Sequence, residues 1–370
     1  MRELPAVLDP AEPCPGVQAA LRAWLALQQA LALRPRDGGA RLRECGDPLR
    51  ALAASGFGAP SGAQLERQLA TLRAHRVVAI PQTSSEFPPG LARLDDAPLL
   101  LLVRGEVEVL RAPCIAIVGS RAPSSYGRVV AERFAAEIAR AGVCVVSGLA
   151  TGIDAVAHRA ALAVGGRTLA VQACGPDLVY PARHRELASR IAAQGAVLSE
   201  FPPGMPPRRA HFPFRNRLIS ALAQAVLVVE ARERSGSLVT ARHAADQGVD
   251  VYAVPGPLGV PTSEGTNQLL RDGAFVALEP EDLLRPLGLC PPPSPRSRRG
   301  VDAAAEIGGE RSEILCALLD APATLDELAQ RLGSAPERLA LQLVELELSG
   351  RVAVDRDGRL RALPAARRGL

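Results

Sequence analysis

The stretch His211–Thr240, which reads HFPFRNRLISALAQAVLVVEARERSGSLVT, decides the fold. Within it, the short valine-rich run Ala225–Glu230 predicts a buried parallel strand. A polar loop containing the sequence SGS follows at Arg232–Ser237, and a helical pattern then runs from Leu238 to about Gln247. Strand, glycine-containing loop and helix form an anion site in an open α/β sheet, because backbone N–H groups at the helix start face the loop.

The segment before this strand is rich in cations and aromatic rings. Phe201–Gln224 contains no acidic residue. It carries Arg208, Arg209, Arg215 and Arg217, interspersed with His211, Phe212 and Phe214. Phosphate-binding groups interleaved with aromatic side chains are what a groove for single-stranded nucleic acid needs.

Composition narrows the class of protein. A chain of 370 residues predicts two or three domains, and a formal net charge of +4 permits a nucleic-acid partner without requiring one. The sequence has no lysine, so all 43 basic residues are arginine. Its seven cysteines form no CxxC pair, which argues against a zinc site or a disulfide framework and for a reducing cytoplasm. We expect no metal, no cofactor, no membrane-spanning segment and no signal peptide.

On both sides of His211–Thr240, apolar runs alternate with helical patterns from about Leu99 onward. The predicted strands are Cys114–Val118, Val143–Ser147, Thr168–Ala173, Ala196–Ser199, Ala225–Glu230, Asp250–Val254 and Phe275–Leu278. The predicted helices between them are Arg128–Ala141, Ala155–Val164, His184–Gln194, Arg217–Ala223 and Leu238–Gln247. This alternation predicts an α/β fold with a doubly wound, mostly parallel sheet and helices on both faces.

The remaining segments suggest smaller domains on either side. Residues 1–90 are predicted to form a small helical domain, like a sterile-alpha-motif or helix-hairpin-helix module, for which a packing or spacing role is the simpler interpretation. Residues 91–286 hold the α/β domain, and 287–309 a linker rich in proline and arginine. Residues 310–370, three short helices and a hairpin, are similar to a winged helix. Its third helix carries more acidic than basic residues, which disfavours a duplex-binding regulator.

The loops after the predicted strands carry the candidate site residues. They are Gly119, Ser120 and Arg121; Ser147 and Gly148; Arg183; Phe212, Phe214, Arg215, Asn216 and Arg217; and Ser235, Gly236, Ser237 and Thr240. Because carboxyl ends of parallel strands meet at one edge, these loops are expected to form one nucleic-acid site. Arginine would bind phosphate, asparagine a base or sugar, and phenylalanine would stack on bases. The alternatives are a helix cap for Ser235–Ser237, a cap or ion pair for Arg121, and core packing for the phenylalanines.

Acidic residues offer two further possibilities. Asp154 is predicted to cap the next helix, and His158 falls four residues later on the same face, but the sequence supplies no third metal ligand. Glu200 and Glu230, at the ends of two predicted strands, are the acids that a nucleotide-cleaving enzyme would need beside a phosphate loop.

Taken together, the motifs resemble the DNA-processing protein A family, also called DprA or Smf. The matching pieces are IVGSRAPSSYG, VVSGLATGIDAVAH, CGPDLVYP, SEFPPGMPP, FPFRNRLIS, VVEARERSGSLVTARHAADQG, VYAVPG and EGTNQLLRDGA, in the family's order over about residues 114–275. The resemblance implies a Rossmann-like core that binds single-stranded DNA, protects incoming strands, loads a RecA-type recombinase in natural transformation, and forms a homodimer.

Three departures from the family pattern accompany this resemblance. Family members often place lysines around the pocket, and this sequence has none. His184 stands where the family usually has an asparagine, and Glu264 replaces a common glutamine.

The preferred hypothesis is a non-catalytic single-strand binder, and the alternative is a nucleotide-cleaving, phosphoribohydrolase-like enzyme on a related core.

Overall fold

The computed structural model of the chain describes residues 5–289, 314–315, 317–318, 322–348, 352–355 and 358–363. They belong to two compact units, Met1–Cys290 and Pro291–Leu370, each of which is described by itself.

The first unit contains twelve described helices and nine described strands. The helices are α1 (Pro15–Leu31), α2 (Pro35–Cys45), α3 (Pro48–Ser55), α4 (Gly62–Ala74), α5 (Pro89–Ala92), α6 (Ser125–Arg140), α7 (Ile153–Ala163), α8 (Arg185–Gln194), α9 (His211–Leu222), α10 (Gly236–Asp246), α11 (Pro261–Arg271) and α12 (Glu281–Leu284). The strands are β1 (Val77–Pro81), β2 (Leu100–Gly105), β3 (Cys114–Val118), β4 (Cys144–Ser147), β5 (Thr168–Val171), β6 (Ala196–Ser199), β7 (Ala225–Val228), β8 (Asp250–Ala253) and β9 (Phe275–Val276).

All nine strands form one sheet in the order β1-β2-β6-β5-β4-β3-β7-β8-β9. Strands β3 to β9 run parallel, and β2 and β1 join antiparallel beside β6. From the central β3 the chain winds outward through β4, β5 and β6, then returns to β7 on the other side of β3. The strand order therefore reverses between β3 and β7, which is the point where open α/β sheets hold ligands. The prediction of a doubly wound, mostly parallel sheet is confirmed.

The central strands are almost entirely apolar because both faces of the sheet are covered. On β3, Ala116 and Val118 point into one core while Ile115 and Ile117 point into the core on the opposite face. Each fully buried valine or isoleucine side chain stabilises the folded state by about 1.5–3 kcal/mol relative to leaving it exposed to water. Helix α6 contributes Phe134 to the second core.

The break predicted near residue 90 does not appear, which corrects the expectation of a separate N-terminal domain. Strand β1 lies before that point and pairs along its whole length with β2, which lies after it. Helices α1 to α4 pack on these two strands in one core that includes Leu25, Leu69 and Leu100. The side chain of Gln28 donates to the carbonyl oxygens of Leu100 (3.1 Å) and Glu200 (2.9 Å). The N-terminal helices therefore belong to the same compact unit as the α/β sheet.

The second unit contains described helices α13 (Leu325–Leu332) and α14 (Pro336–Leu348), together with helical residues at 314–315 and 317–318. Strands β10 (Val352–Val354) and β11 (Leu360–Ala362) form an antiparallel hairpin. Thr324 and Glu327 cap α13 reciprocally, which satisfies two free backbone N–H groups. Most of the predicted linker and the start of the predicted winged helix, residues 290–313, lie outside the described residues.

Across the described ranges, no helix has both the length and the apolar character that crossing a membrane requires.

Candidate functional site

An open cavity of about 730 Å³ lies where β3 and β7 end, at the reversal of the strand order. Five segments bound it: the loops after β3, β4, β5 and β7, and the segment leading into α9. Its lining includes Gly119, Ser120, Arg121, Asp154, Tyr180, Arg209, Phe212, Arg215, Asn216, Arg232, Arg234, Ser235, Gly236, Ser237 and Thr240. We call this the rim cavity. Ten of the fifteen predicted site residues are thus brought together on its wall.

Four arginines give the rim cavity a positive mouth. Arg121, Arg209, Arg232 and Arg234 are exposed, and none of them forms an ion pair within residues 5–289. Unpaired guanidinium groups on a shared wall are suited to an anionic, extended ligand because each can form paired hydrogen bonds to a phosphate. Arg209, Arg232 and Arg234 were not among the predicted site residues, although Arg232 and Arg234 lie in the loop that contains the SGS sequence.

An aromatic pair stands beside these cations. The guanidinium carbon of Arg121 lies 5.4 Å from the ring centroid of Phe212, and the rings of Phe212 and Tyr180 are 5.4 Å apart. Tyr180 is about half exposed, and Phe212 is partly exposed. A partly exposed ring that lies against a guanidinium offers a stacking face to an unpaired base. Tyr180 was also not among the predicted site residues, although its loop follows a predicted strand, Thr168–Ala173.

The start of α10 also lines the cavity. Ser235 caps the helix by accepting a hydrogen bond from the Ser237 backbone N–H (3.3 Å), and the two hydroxyl oxygens are 2.7 Å apart. The side chain of Asn216 donates to the Gly236 carbonyl oxygen (3.2 Å), which ties α9 to this loop. The first turn of an eleven-residue helix therefore faces the cavity, where its dipole favours negative charge.

Arg215 lies at the floor of the cavity and is almost fully buried. Its guanidinium donates to the carbonyl oxygen of Gly148 (2.8 Å) and to that of Val171, and burial lowers its pKa to about 10, so it stays charged at neutral pH. A Cβ on Gly148 would come within 2.6 Å of this guanidinium and 2.8 Å of the Asp154 carboxylate, so only glycine fits there. Arg215 holds two strand ends together as well as placing positive charge beneath the cavity.

Arg217 does not line the cavity, and this corrects its prediction as a phosphate contact. Its guanidinium is 4% exposed and forms two 2.8 Å hydrogen bonds to the Glu200 carboxylate and one of 2.8 Å to Asp96. It also lies 4.2 Å from the ring centroid of Phe214. Because its donors are already bound to carboxylates inside the protein, Arg217 joins α9 to the sheet instead of reaching solvent.

The other four predicted residues also lie off the cavity wall. Ser147 is buried and donates to the Ile117 carbonyl oxygen (2.7 Å), and Gly148 packs behind Arg215. Phe214 packs against Phe201, with ring centroids 6.2 Å apart. Arg183 is exposed on a short 3-10 turn, Ala182–His184, outside the cavity lining.

Helix α9 begins earlier than predicted. It starts at His211 instead of Arg217, so the aromatic and arginine residues lie on a helix and not on a loop. Pro213 is compatible with this start, because proline is tolerated in the first turn of a helix, where its missing N–H is not needed. This places Phe212 and Asn216 four residues apart on one helical face, toward the cavity.

Asp154 is not the helix cap that the sequence predicted. Gly152, with φ of +83°, occupies the cap position, and a Cβ there would lie 2.1 Å from the Ser120 carbonyl oxygen. The Asp154 carboxylate instead accepts the backbone N–H groups of Gly148 (3.1 Å) and Ala150 (3.3 Å). Burial raises its pKa, while the nearby Arg215 opposes that rise. Asp154 therefore orders the loop after β4.

His158 lies beneath this loop without any exposed surface. Its Nδ1 is 2.7 Å from the Thr168 hydroxyl, and that hydroxyl donates to the Val145 carbonyl oxygen (2.6 Å). Nδ1 is therefore the protonated nitrogen, and Nε2 has no partner among the described residues. The described part of the chain contains no cluster of three or more His, Cys, Asp or Glu side chains that could hold a metal ion.

We expect His158 to make folding sensitive to acid. Burial lowers its pKa from 6.5 to about 3, so the unfolded chain binds this proton first and stability falls as the pH drops below 6.5. Between pH 7.5 and pH 5 the loss is about 2 kcal/mol. Denaturant unfolding of His158→Gln should show a pH dependence smaller by that amount, whereas the exposed control His75→Gln should match the parent protein. An NMR titration that placed the pKa of His158 near 6.5 would contradict this.

The two carboxylates that a nucleotide-cleaving enzyme would use are held away from the cavity. Glu200 is bound to Arg217, and Glu230 accepts the Ser124 backbone N–H (2.9 Å) and hydroxyl (2.5 Å). Both are about 3% exposed. Neither lines the rim cavity, whose acidic residue is Asp154.

The fold and the cavity define a Rossmann-like α/β protein with an arginine- and aromatic-lined pocket at its switch point and a winged helix at its C-terminal end. The family model for DNA recombination-mediator protein A matches residues 78–288, and that for the DprA winged helix domain matches residues 292–358. The chain therefore belongs to the DprA/Smf family of DNA-processing proteins.

Individual relatives agree with this assignment. The chain is 43% identical over 286 residues to Protein Smf of Escherichia coli K12, which covers 76% of each protein. The crystal structure of DNA processing protein A from Streptococcus pneumoniae aligns with a TM-score of 0.58 and 35% identity, covering 67% of this chain and 86% of that one. A structure of the Helicobacter pylori protein, described for its single-stranded DNA binding mode, aligns with a TM-score of 0.51 and 32% identity over 54% of this chain and 92% of that one.

Proposed function

We propose that this protein binds single-stranded DNA in the rim cavity without altering it chemically, protects the strand, and passes it to a RecA-type recombinase in the cytoplasm during transformation. The observation that carries the proposal is the group of four exposed arginines, without an ion pair in residues 5–289, that lines the cavity with the Phe212 and Tyr180 rings. A wall that joins cations to exposed rings fits an unpaired polynucleotide better than a duplex, whose bases are already stacked. The reported single-strand binding of the Helicobacter pylori relative supports the same ligand.

A binding measurement tests this proposal directly. Fluorescence anisotropy with a labelled 20-nucleotide strand, and with the same strand in a duplex, should show preference for the single strand. Affinity for the strand should fall steeply with salt, because each neutralised phosphate releases counterions. The strand should be recovered at full length after incubation. Equal affinity for duplex and single strand would contradict the proposal.

The enzyme alternative is weaker because its carboxylates are occupied. A nucleotide-cleaving reaction needs an acid that faces the cavity, and there Asp154 already accepts two loop N–H groups. Incubation with nucleoside monophosphates and chromatographic analysis for free base tests this alternative. Base release that disappears in Asp154→Asn would favour the enzyme.

Transfer to the recombinase is the second half of the proposal, and it rests on the family assignment. We expect the protein to accelerate RecA filament assembly on a strand that is already coated with a single-strand-binding protein. The rate of ATP hydrolysis by RecA on that coated strand reports assembly. An unchanged rate of ATP hydrolysis at saturating protein would contradict the proposed transfer to RecA. It would not affect the proposal that the protein binds the strand.

We also propose that two copies associate through the β9 end of the sheet. Leu8 bridges to Ala79 and so partly covers the opposite edge strand, whereas β9 has no outer partner within residues 5–289. Phe275, Val276 and Leu278 beside it are each about half exposed or more. An open apolar edge favours pairing with another chain. Light scattering should give the mass of a dimer, and a monomer at micromolar concentration would contradict this.

The C-terminal unit should be dispensable for strand binding, because the rim cavity lies wholly within Met1–Cys290. A truncated protein that ends at Cys290 is expected to bind the 20-nucleotide strand within about twofold of the full chain, a difference of roughly 0.4 kcal/mol. Anisotropy at matched salt measures this. Complete loss of binding by a folded truncation would place the DNA site in the winged helix.

A further inference from the structure

A second cavity, of about 460 Å³, lies between the N-terminal helices and the loop that joins β6 to α9. Helix α1 contributes Gln29, and α4 contributes Gln64, Arg67 and Gln68. Arg208 and His211 lie on the opposite side. We call this the glutamine cavity. Its volume falls within the range typical of small-ligand sites.

A short segment separates the two cavities. Within Arg208–Phe212, Arg208 and His211 line the glutamine cavity, while Arg209 and Phe212 line the rim cavity. Adjacent Cα atoms are about 3.8 Å apart, so Arg208 and Arg209 carry positive charge from one cavity to the next. A strand that leaves the rim cavity over this segment meets the glutamine cavity directly.

The glutamine cavity holds polar groups that the protein leaves unpaired. Gln68 is 5% exposed, and its Nε2 donates to the Gln29 side-chain oxygen (2.6 Å), yet its own oxygen has no partner among the described residues. The Gln29 NH₂ group likewise donates to no protein group within residues 5–289. The Gln29 NH₂ group is therefore available to donate to a ligand in the cavity, whereas the Gln68 oxygen has almost no accessible surface.

His211 adds an acceptor. Its Nδ1 lies 3.3 Å from the Ala173 carbonyl oxygen and therefore carries the proton. Burial lowers the pKa of His211 and so favours the neutral ring, whose Nε2 can accept a hydrogen bond. Donors and acceptors in one pocket match the edge of a nucleobase, which carries both.

Charge in the glutamine cavity favours an anion. Arg67 and Arg208 are exposed and form no ion pair within residues 5–289. The acidic residue in the lining, Asp177, already accepts the Gly204 N–H (2.9 Å). The two cations exceed this single carboxylate, so a phosphate is favoured at the mouth.

We propose that the glutamine cavity holds a further nucleotide of the strand bound in the rim cavity, with its phosphate on Arg67 and Arg208 and its unstacked base on Gln29 and His211. The inference rests on the proposed function. It makes the N-terminal helices part of the DNA site, in place of the packing role that the sequence suggested for them.

Two substitutions test the phosphate and the base contacts separately. Arg67→Ala should weaken binding of a 20-nucleotide strand about three- to tenfold and reduce the salt slope by about one, as expected for the loss of one phosphate contact. Gln29→Leu should weaken binding about threefold while leaving the salt slope unchanged, because a base contact releases no counterion. Arg67→Lys should restore the slope.

The matched control is Arg50→Ala, which removes the same charge from an exposed position on α3. It should bind as the parent protein does. Arg67→Ala and Gln29→Leu proteins that are folded by circular dichroism and bind like this control would overturn the inference. If the parent protein binds the strand and Arg121→Glu weakens that binding, control-like binding by Arg67→Ala and Gln29→Leu leaves the proposed function standing. If the parent protein binds no strand, the proposed function itself fails.

Discussion

Replacing Arg217 by methionine is expected to lower the free energy of unfolding by about 3–5 kcal/mol, the cost of leaving a buried charge without its partner. The methionine keeps much of the side-chain volume, so the loss comes from charge and hydrogen bonding. Glu200 would keep its burial but lose both guanidinium hydrogen bonds. Asp96 is about one-third exposed and can return to water, so it contributes less. Urea unfolding followed by circular dichroism measures the change.

The same experiment has a matched control and an internal check. Arg22 pairs with Glu66 on the surface, where both side chains are more than one-third exposed, so Arg22→Met should cost about 0–1 kcal/mol. Burial raises the pKa of Glu200, and Arg217 opposes that rise. Without Arg217 the pKa rises further, so the deficit of Arg217→Met should shrink as the pH falls and Glu200 takes up a proton. A deficit no larger than that of Arg22→Met would show that the buried pair contributes little.

Reversing the charge of Arg121 is expected to weaken single-strand binding about 30-fold, or roughly 2 kcal/mol, and to reduce the salt slope by one to two. Arg121 is exposed, belongs to no ion pair within residues 5–289, and lies against the Phe212 ring. Arg121→Glu therefore removes the proposed phosphate contact, adds a repulsion and disturbs the proposed stacking face, and its exposed position should leave the fold intact. Fluorescence anisotropy across a salt series measures both affinity and slope.

The control for this change is Arg190→Glu, which makes the same charge reversal at an exposed position of α8 outside both cavities. It should alter affinity by no more than about twofold, through the general field of the protein. Similar losses in both variants would show that net charge and not the rim cavity governs binding. Arg215→Ala is a less direct probe, because it should weaken binding and also loosen the ends of β4 and β5 that Arg215 joins.

The sequence predicted the sheet and the position of the cavity because both depend on local pattern. The run Cys114–Val118 is apolar throughout, and Ala196–Ser199 is apolar up to its final serine. The structure begins and ends both strands at the predicted residues. The loops after parallel strands share one edge by topology, so the lining could be anticipated from chain order. Strands β1 and β2 were missed, because they join the sheet antiparallel, outside the alternating pattern.

The direction in which each arginine points could not be predicted. Arg215 and Arg217 are two residues apart in a segment without acids, so the sequence predicts the same role for both. The structure separates them because helical geometry turns their side chains to different faces. Arg215 meets carbonyl oxygens under the cavity, whereas Arg217 meets Glu200 and Asp96, which are distant in sequence. Pairing with a distant carboxylate is a tertiary contact that residue spacing does not encode.

The antiparallel strands β1 and β2 determine where the chain can be truncated. A fragment that starts near residue 91 would lose β1 and α1 to α4, which uncovers the outer edge of β2 and the apolar side chains of Leu100 and Leu102. Exposed strand edges of that kind recruit other chains, so such a fragment should precipitate or self-associate instead of behaving as an isolated core. A truncated protein that keeps the rim cavity should therefore end after Cys290 and should not begin as late as Leu100.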